Sequence, residues 1–205
     1  MLRCIIIMGR RQKGLSFYRR RKKISSNFIK EIFIWLFGMF AASFLAMVLV
    51  VAFGLHTVMI GNSMEPELYN SQQIYIDRFL YKLSSPRRGD VIAFLPNGNQ
   101  NSHYYIKRVV GLPGESVQIR DGKLYIDGLL LDEGGDFDKM ADGGIAANEI
   151  ILENDEFFVL GDNRNNSEDS RSANIGVVKT DYIVGKCWFH LGSTEAGMDF
   201  IKNNY

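Results

Sequence analysis

The stretch Ile32–Leu55, IFIWLFGMFAASFLAMVLVVAFGL, decides how the rest of the chain is read. None of its twenty-four residues is charged, and only Gly38, Ser43 and Gly54 interrupt the apolar run. As an α-helix it would measure about 36 Å at 1.5 Å per residue, against a hydrocarbon core about 30 Å thick. It can therefore cross a bilayer with some tilt. A buried core helix of this length would carry a polar stripe, and none is present. The apolar region of a cleaved signal peptide is shorter, about 7–15 residues. The stretch is predicted to be a single transmembrane helix.

Working outward, the two flanks carry opposite charge. Residues 1–30 hold ten basic side chains and no acidic one, from Arg3 to the run Arg19-Arg20-Arg21-Lys22-Lys23 and Lys30. Residues 56–205 hold fourteen basic against twenty-two acidic side chains. The overall net charge of +1 is the sum of these opposed territories. Lys and Arg beside a span stay on the cytoplasmic side, so the N-terminus is predicted inside the cell membrane and the acidic body outside. Trp35, near the inner end, suits an interfacial anchor. A basic run also suits nucleic acid, but beside a span that reading is weak and no nucleic-acid partner is expected. The predicted organisation is a basic cytoplasmic tail (1–31), a transmembrane helix (32–55) and an extracytoplasmic domain (56–205), with the lipid bilayer as a partner. Cys4 and Cys187 fall on opposite sides of the span and do not pair. A body of 150 residues can fold on its own core without a disulfide.

Beyond the span the apolar runs are short and rich in β-branched and aromatic residues. Ile74–Ile76, Val91–Leu95, Tyr104–Val110, Ser116–Arg120, Lys123–Ile126, Phe157–Leu160 and Tyr182–His190 are each bounded by turn formers, which is strand punctuation. Asp121-Gly122 between two of them predicts a type I′ hairpin, whose two central residues need φ > 0. The fold class expected is mainly β: one N-terminal transmembrane helix, then an antiparallel β-sandwich or irregular barrel. Asp132–Glu149, rich in Gly and Asp, is expected to be an exposed loop. Gly161–Arg171 is almost wholly polar.

The candidate chemistry lies in three segments. His56, His103 and His190 show neither metal-ligand spacing nor a Gly-rich elbow, so they read as surface or satisfied histidines. No metal and no cofactor are expected. Ser63 sits in Gly61-Asn62-Ser63-Met64-Glu65-Pro66, an irregular backbone close behind the span. A serine nucleophile needs a base, because its hydroxyl is hardly ionised at neutral pH. Lys107, in Tyr105-Ile106-Lys107-Arg108-Val109-Val110, shares a strand face with Tyr105 and Val109. Burial there would lower its proton affinity enough for it to act as one. Taken singly, Ser63 also reads as a turn serine and Lys107 as a solvated strand residue. In the third segment, Ser167 is placed to aim a neutral lysine by a hydrogen bond, and Asp169 with Arg171 to hold the loop's shape.

Together these segments resemble the type I signal peptidases, membrane-anchored Ser/Lys endopeptidases. The resemblance rests on Ser63-Met64-Glu65-Pro66, Gly89-Asp90-Val91-Ile92-Ala93-Phe94, Lys107 to Gly114, and Gly161 to Arg171 continuing to Gly176, in one order behind an anchor. It implies that Ser63 is the nucleophile, Lys107 the general base, Ser167 a neighbour of the lysine amine, and Asp169–Arg171 a structural pair. It also implies signal-peptide-bearing precursors as partners, cut at the outer face of the cytoplasmic membrane through an acyl-enzyme. Two positions depart from the family pattern. Glu67 stands where Thr is frequent, which puts an acidic group beside the expected cleft. Gly61 stands where some members have a serine whose hydroxyl helps form the oxyanion hole. The competing readings are a self-cleaving Ser/Lys regulator, which the span argues against, and a peptidase-like membrane protein that assists pilus or surface-polymer assembly without cleaving.

Overall fold

A computed structural model describes residues 26–192 and 197–205. Residues 1–25, with Cys4 and every basic residue of the tail but Lys30, lie outside the described residues. The chain separates into two compact units, Met1–Ala46 and Met47–Tyr205.

Helix α1 spans Ser26–Phe53. Within it Asn27–Val50 has a mean hydropathy of 2.4 and is 0% buried against protein, so its length and composition suit a membrane rather than a core. The helix starts before the expected span and stops two residues short of Leu55. Gly54 marks the stop: a Cβ there would lie 2.6 Å from the Val50 carbonyl oxygen, so only glycine fits as the chain leaves the helix. Gly54 and Leu55 belong instead to the first strand.

The described strands are β1 (Gly54–Val58), β2 (Gln73–Asp77), β3 (Val91–Phe94), β4 (Tyr105–Gly111), β5 (Ser116–Arg120), β6 (Lys123–Ile126), β7 (Leu129–Leu130), β8 (Ile150–Ile151), β9 (Glu156–Leu160), β10 (Val178–Lys179), β11 (Ile183–Leu191) and β12 (Asp199–Phe200). They form one sheet in the order β1-β2-β11-β3-β4-β9-β10, with β12 on β11, and a second in the order β7-β6-β5-β8. The pairings are antiparallel. The mainly β, antiparallel class expected from the sequence is what the chain adopts.

Every residue of β3 and β9 is buried. Their sequences are therefore nearly continuous apolar runs rather than alternations. Val91 and Ala93 pack with Met64, Leu68, Ile74, Ile76 and Cys187. Ile92 and Phe94, on the other face, pack with Val109, Phe157 and Val159. A third core joins the small sheet to β4 and β9 through Val110, Val117, Leu124, Leu152 and Phe158. Gly111 lies at that junction, where a Cβ would come within 2.7 Å of the Val117 side chain.

Asp121 and Gly122 have φ of 52° and 73°, as the I′ turn requires. Asp127-Gly128 repeats the device at 49° and 74° and turns the chain into β7. The segment 132–149 is less exposed than expected, because Met140 and Ala146 are buried in the third core. Its carboxylate Glu133 pairs with the buried Arg164.

Candidate active site

Ser63 lies on a loop whose ends are stitched together where it leaves and rejoins the sheet. The Met59 N–H donates to the Gln72 carbonyl at 2.8 Å, and the Ser71 N–H to the Met59 carbonyl at 2.9 Å. Between them Met64 and Leu68, both 0% exposed, plug the loop into the core. Ser63 is thus fixed by the buried side chain beside it. Gly61 has φ +83°, a region L-residues rarely adopt, and its N–H donates to Asn70 Oδ1 at 3.0 Å. A serine at this position would need another backbone conformation, which is the physical sense of the departure seen in the sequence. No described group accepts a hydrogen bond from the Ser63 N–H.

Lys107 sits mid-sheet on β4, opposite Ile92 of β3. It is 4% exposed, and its Nζ lies 2.6 Å from Ser63 Oγ. Burial lowers its pKa from 10.5 to about 8, against the opposing pull of Asp169, Glu168 and Asp162. The Tyr105 ring, on the same strand face, has its centroid 6.0 Å from the amine.

Successive residues of a strand face opposite ways, so Arg108 leaves the sheet on the other side from Lys107. It is 0% exposed and grips Asp162 through two bonds, Nε–Oδ1 at 2.7 Å and Nη2–Oδ2 at 2.6 Å. Its Nη1 donates to the carbonyls of Gly89 and Lys202. Asp162 opens the polar 161–171 loop, which is bound to the serine loop through Asn163. The Asn163 N–H donates to the Ser63 carbonyl at 3.1 Å, and its Nδ2 to the Asn62 carbonyl at 3.2 Å. Gly161, between β9 and this loop, allows the approach. A Cβ there would lie 2.1 Å from Ser167 Oγ and 2.5 Å from the Ser63 carbonyl oxygen.

Asp169 and Arg171 pair as the sequence suggested, with Nε–Oδ1 at 2.8 Å and Nη2–Oδ2 at 2.9 Å. Asp169 also accepts from the Gly161 N–H. Ser170, fully buried, exchanges hydrogen bonds with the Val159 backbone and ties the loop to β9. The expected bond from Ser167 to the lysine is not formed. Its Oγ is buried without a partner, crowded against Gly161, while the amine lies against Ser63. Glu67 does not stand free beside the cleft, since its Oε1 accepts the Lys202 N–H at 2.6 Å.

A recess of about 290 Å³ opens on Ser63 and Lys107, walled by Met59, Ile60, Tyr105 and Ile106. His103 and Glu168 also line it. His103 is on the surface, as read from the sequence, but at this recess; His190 is buried with Nδ1 unpartnered, so the reading as surface or satisfied does not hold for it. The sequence reading missed Arg108–Asp162, whose signal was the strand alternation beside Lys107. It also missed Asn163 and Glu168, which no local pattern singles out.

A family model described as signal peptidase, peptidase S26, matches residues 32–191, most of the chain. The chain belongs to that family. It is similar to signal peptidase I P of Bacillus subtilis subsp. natto, 32% identical over 136 residues, covering 61% of this chain and 70% of that protein. It is also similar to a probable signal peptidase I-2 of Synechocystis sp., 34% identical over 132 residues, covering 62% of this chain and 58% of that protein. A crystal structure of a signal peptidase I from Enterococcus faecalis V583 is 34% identical, with a TM-score of 0.40, covering 51% of this chain and 97% of that one. This signal peptidase is a serine endopeptidase whose N-terminal apolar helix is compatible with membrane anchoring, and a non-cleaving assembly role is not favoured.

Proposed function

We propose that this signal peptidase cleaves its precursors by a Ser63 nucleophile and a Lys107 general base. The observation that carries the reading is the 2.6 Å approach of an almost fully buried lysine amine to the serine hydroxyl. With its pKa lowered to about 8, an appreciable fraction of Lys107 is neutral near physiological pH and can take the Ser63 proton. Ser63 Oγ then attacks the scissile carbonyl, and the amine returns the proton to the leaving nitrogen. The same lysine next deprotonates the water that hydrolyses the ester. Ser–Lys is a variant of the triad logic. The Ser63 N–H is available to the developing oxyanion. The recess walls of Met59, Ile60, Tyr105 and Ile106 suit small apolar side chains before the cut, as signal-peptide sites provide.

We further propose that α1, ending at Phe53, is the span, with the basic tail before it on the cytoplasmic side and the catalytic domain from β1 onward outside, an orientation that the positive-inside rule supports. β1 begins at Gly54, so Ser63 follows the end of the helix closely in sequence. Asp169 and Arg171 support the site from the loop by their ion pair, whereas Ser167 packs against Gly161 and makes no bond to the lysine. Processing of a labelled precursor by detergent-solubilised full chain tests the assignment. Ser63→Ala and Lys107→Ala should each lose cleavage, and normal processing by either would refute it.

A further inference from the structure

Three carboxylates act on Lys107, and they differ in how they are held. Asp162 is locked to Arg108, and Asp169 to Arg171. Glu168 lines the recess with Ser63 and Lys107, is exposed, and forms no ion pair or hydrogen bond with any described residue. Its neighbours explain why it stays at the recess. Asp169 is pinned to the Gly161 N–H and to Arg171, and the Asn163 N–H is pinned to the Ser63 carbonyl, so the loop carrying Glu168 has fixed ends. The other polar groups around the amine are the Arg171 guanidinium, whose charge opposes protonation, the Tyr105 ring, and His103, exposed across the recess.

A free carboxylate lining the same recess as Ser63 and the Lys107 amine has two consequences. It favours the ammonium form of Lys107. It also attracts positive and repels negative charge on any chain laid over Ser63, more strongly once that chain displaces water. We propose that Glu168 is a specificity and positioning residue, selecting basic over acidic side chains beside the scissile bond of the precursor and acting on the Lys107 ammonium across the same recess. The inference rests on the Ser63–Lys107 reading above. Because Glu168 is exposed, its effect is modest and weakens with salt.

The test compares wild type, Glu168→Gln, Glu168→Asp and Ser63→Ala, each as solubilised full chain. The substrates are signal-peptide-site peptides carrying Lys, Gln or Glu in turn at the two residues on either side of the cut. Wild type and Glu168→Asp should prefer Lys to Glu at one or more of these positions by about threefold or more, and Glu168→Gln should lose that preference. With the Gln peptide, the acid limb of kcat/KM for Glu168→Gln should move about half a pH unit lower, so that it is about threefold faster there. A gain of rate is the opposite of what damage to the loop would produce. A Lys-to-Glu ratio unchanged by Glu168→Gln at every position, or an unmoved acid limb, would overturn the proposal. If Ser63→Ala also cleaves, the underlying mechanism fails; if it is inactive while Glu168→Gln behaves as wild type, only this inference fails.

Discussion

Arg108 and Asp162 form a two-bond ion pair, at 2.7 and 2.6 Å, on the side of β4 opposite Lys107. The guanidinium also binds the Gly89 and Lys202 carbonyls. One buried cation thus connects the β3 entrance, the C-terminal segment and the loop that reaches Ser63. Removing one member of such a pair leaves the other charged and buried, at a cost of about 3–5 kcal/mol. Arg108→Ala should lower Tm by on the order of 10 °C, measured by thermal unfolding. Asp162→Asn should destabilise less, because it keeps the shape and part of the hydrogen bonding.

Gly161 is required by space. Gly161→Ala sets a methyl group against the Ser63 carbonyl, which is backbone and has no rotamer to retreat into. The serine loop must shift, and a displacement of the order of an ångström costs about a hundredfold in rate. The expected result is a kcat about a hundredfold down, with circular dichroism unchanged.

Burying Lys107 carries a stability cost beside the role proposed for it as a base. Its folded pKa of about 8 lies below the unfolded 10.5, so the folded state binds fewer protons between those values. Below pH 8 the full penalty applies, about 3 kcal/mol at about 1.4 kcal/mol per tenfold. It is relieved as pH rises from 8 towards 10.5. Lys107→Met should therefore be inactive yet melt higher at pH 7, by on the order of 10 °C on the usual scaling. That advantage should shrink at pH 10.

Much of this architecture was legible because it rests on local chemistry. The uncharged run before Gly54, the β-branched runs and Asp121-Gly122 each carry their own instruction. The site was legible in part. Ser63, Lys107, Asp169 and Arg171 stand in motifs, and the structure brings them together. Ser167 does too, but its hydroxyl is crowded at Gly161, a packing result that spacing does not reveal. Glu67 looked like a cleft residue and instead holds the backbone of Lys202, a partner 135 positions away. Arg108–Asp162 and Glu133–Arg164 are likewise long-range pairs, invisible until the strands are in register. Short edge strands such as β7, β8 and β10 were missed because two residues carry no period.

The central claim is that neutral Lys107 is the base for Ser63, and the pH dependence of kcat/KM on an uncharged signal-site peptide tests it most directly. This quantity reports the ionisation of the free enzyme. It should rise tenfold per pH unit on the acid side, turn over near pH 8 and level off above, where the amine has lost its proton. A rate that stays level from neutral pH down to pH 4 would contradict a lysine base.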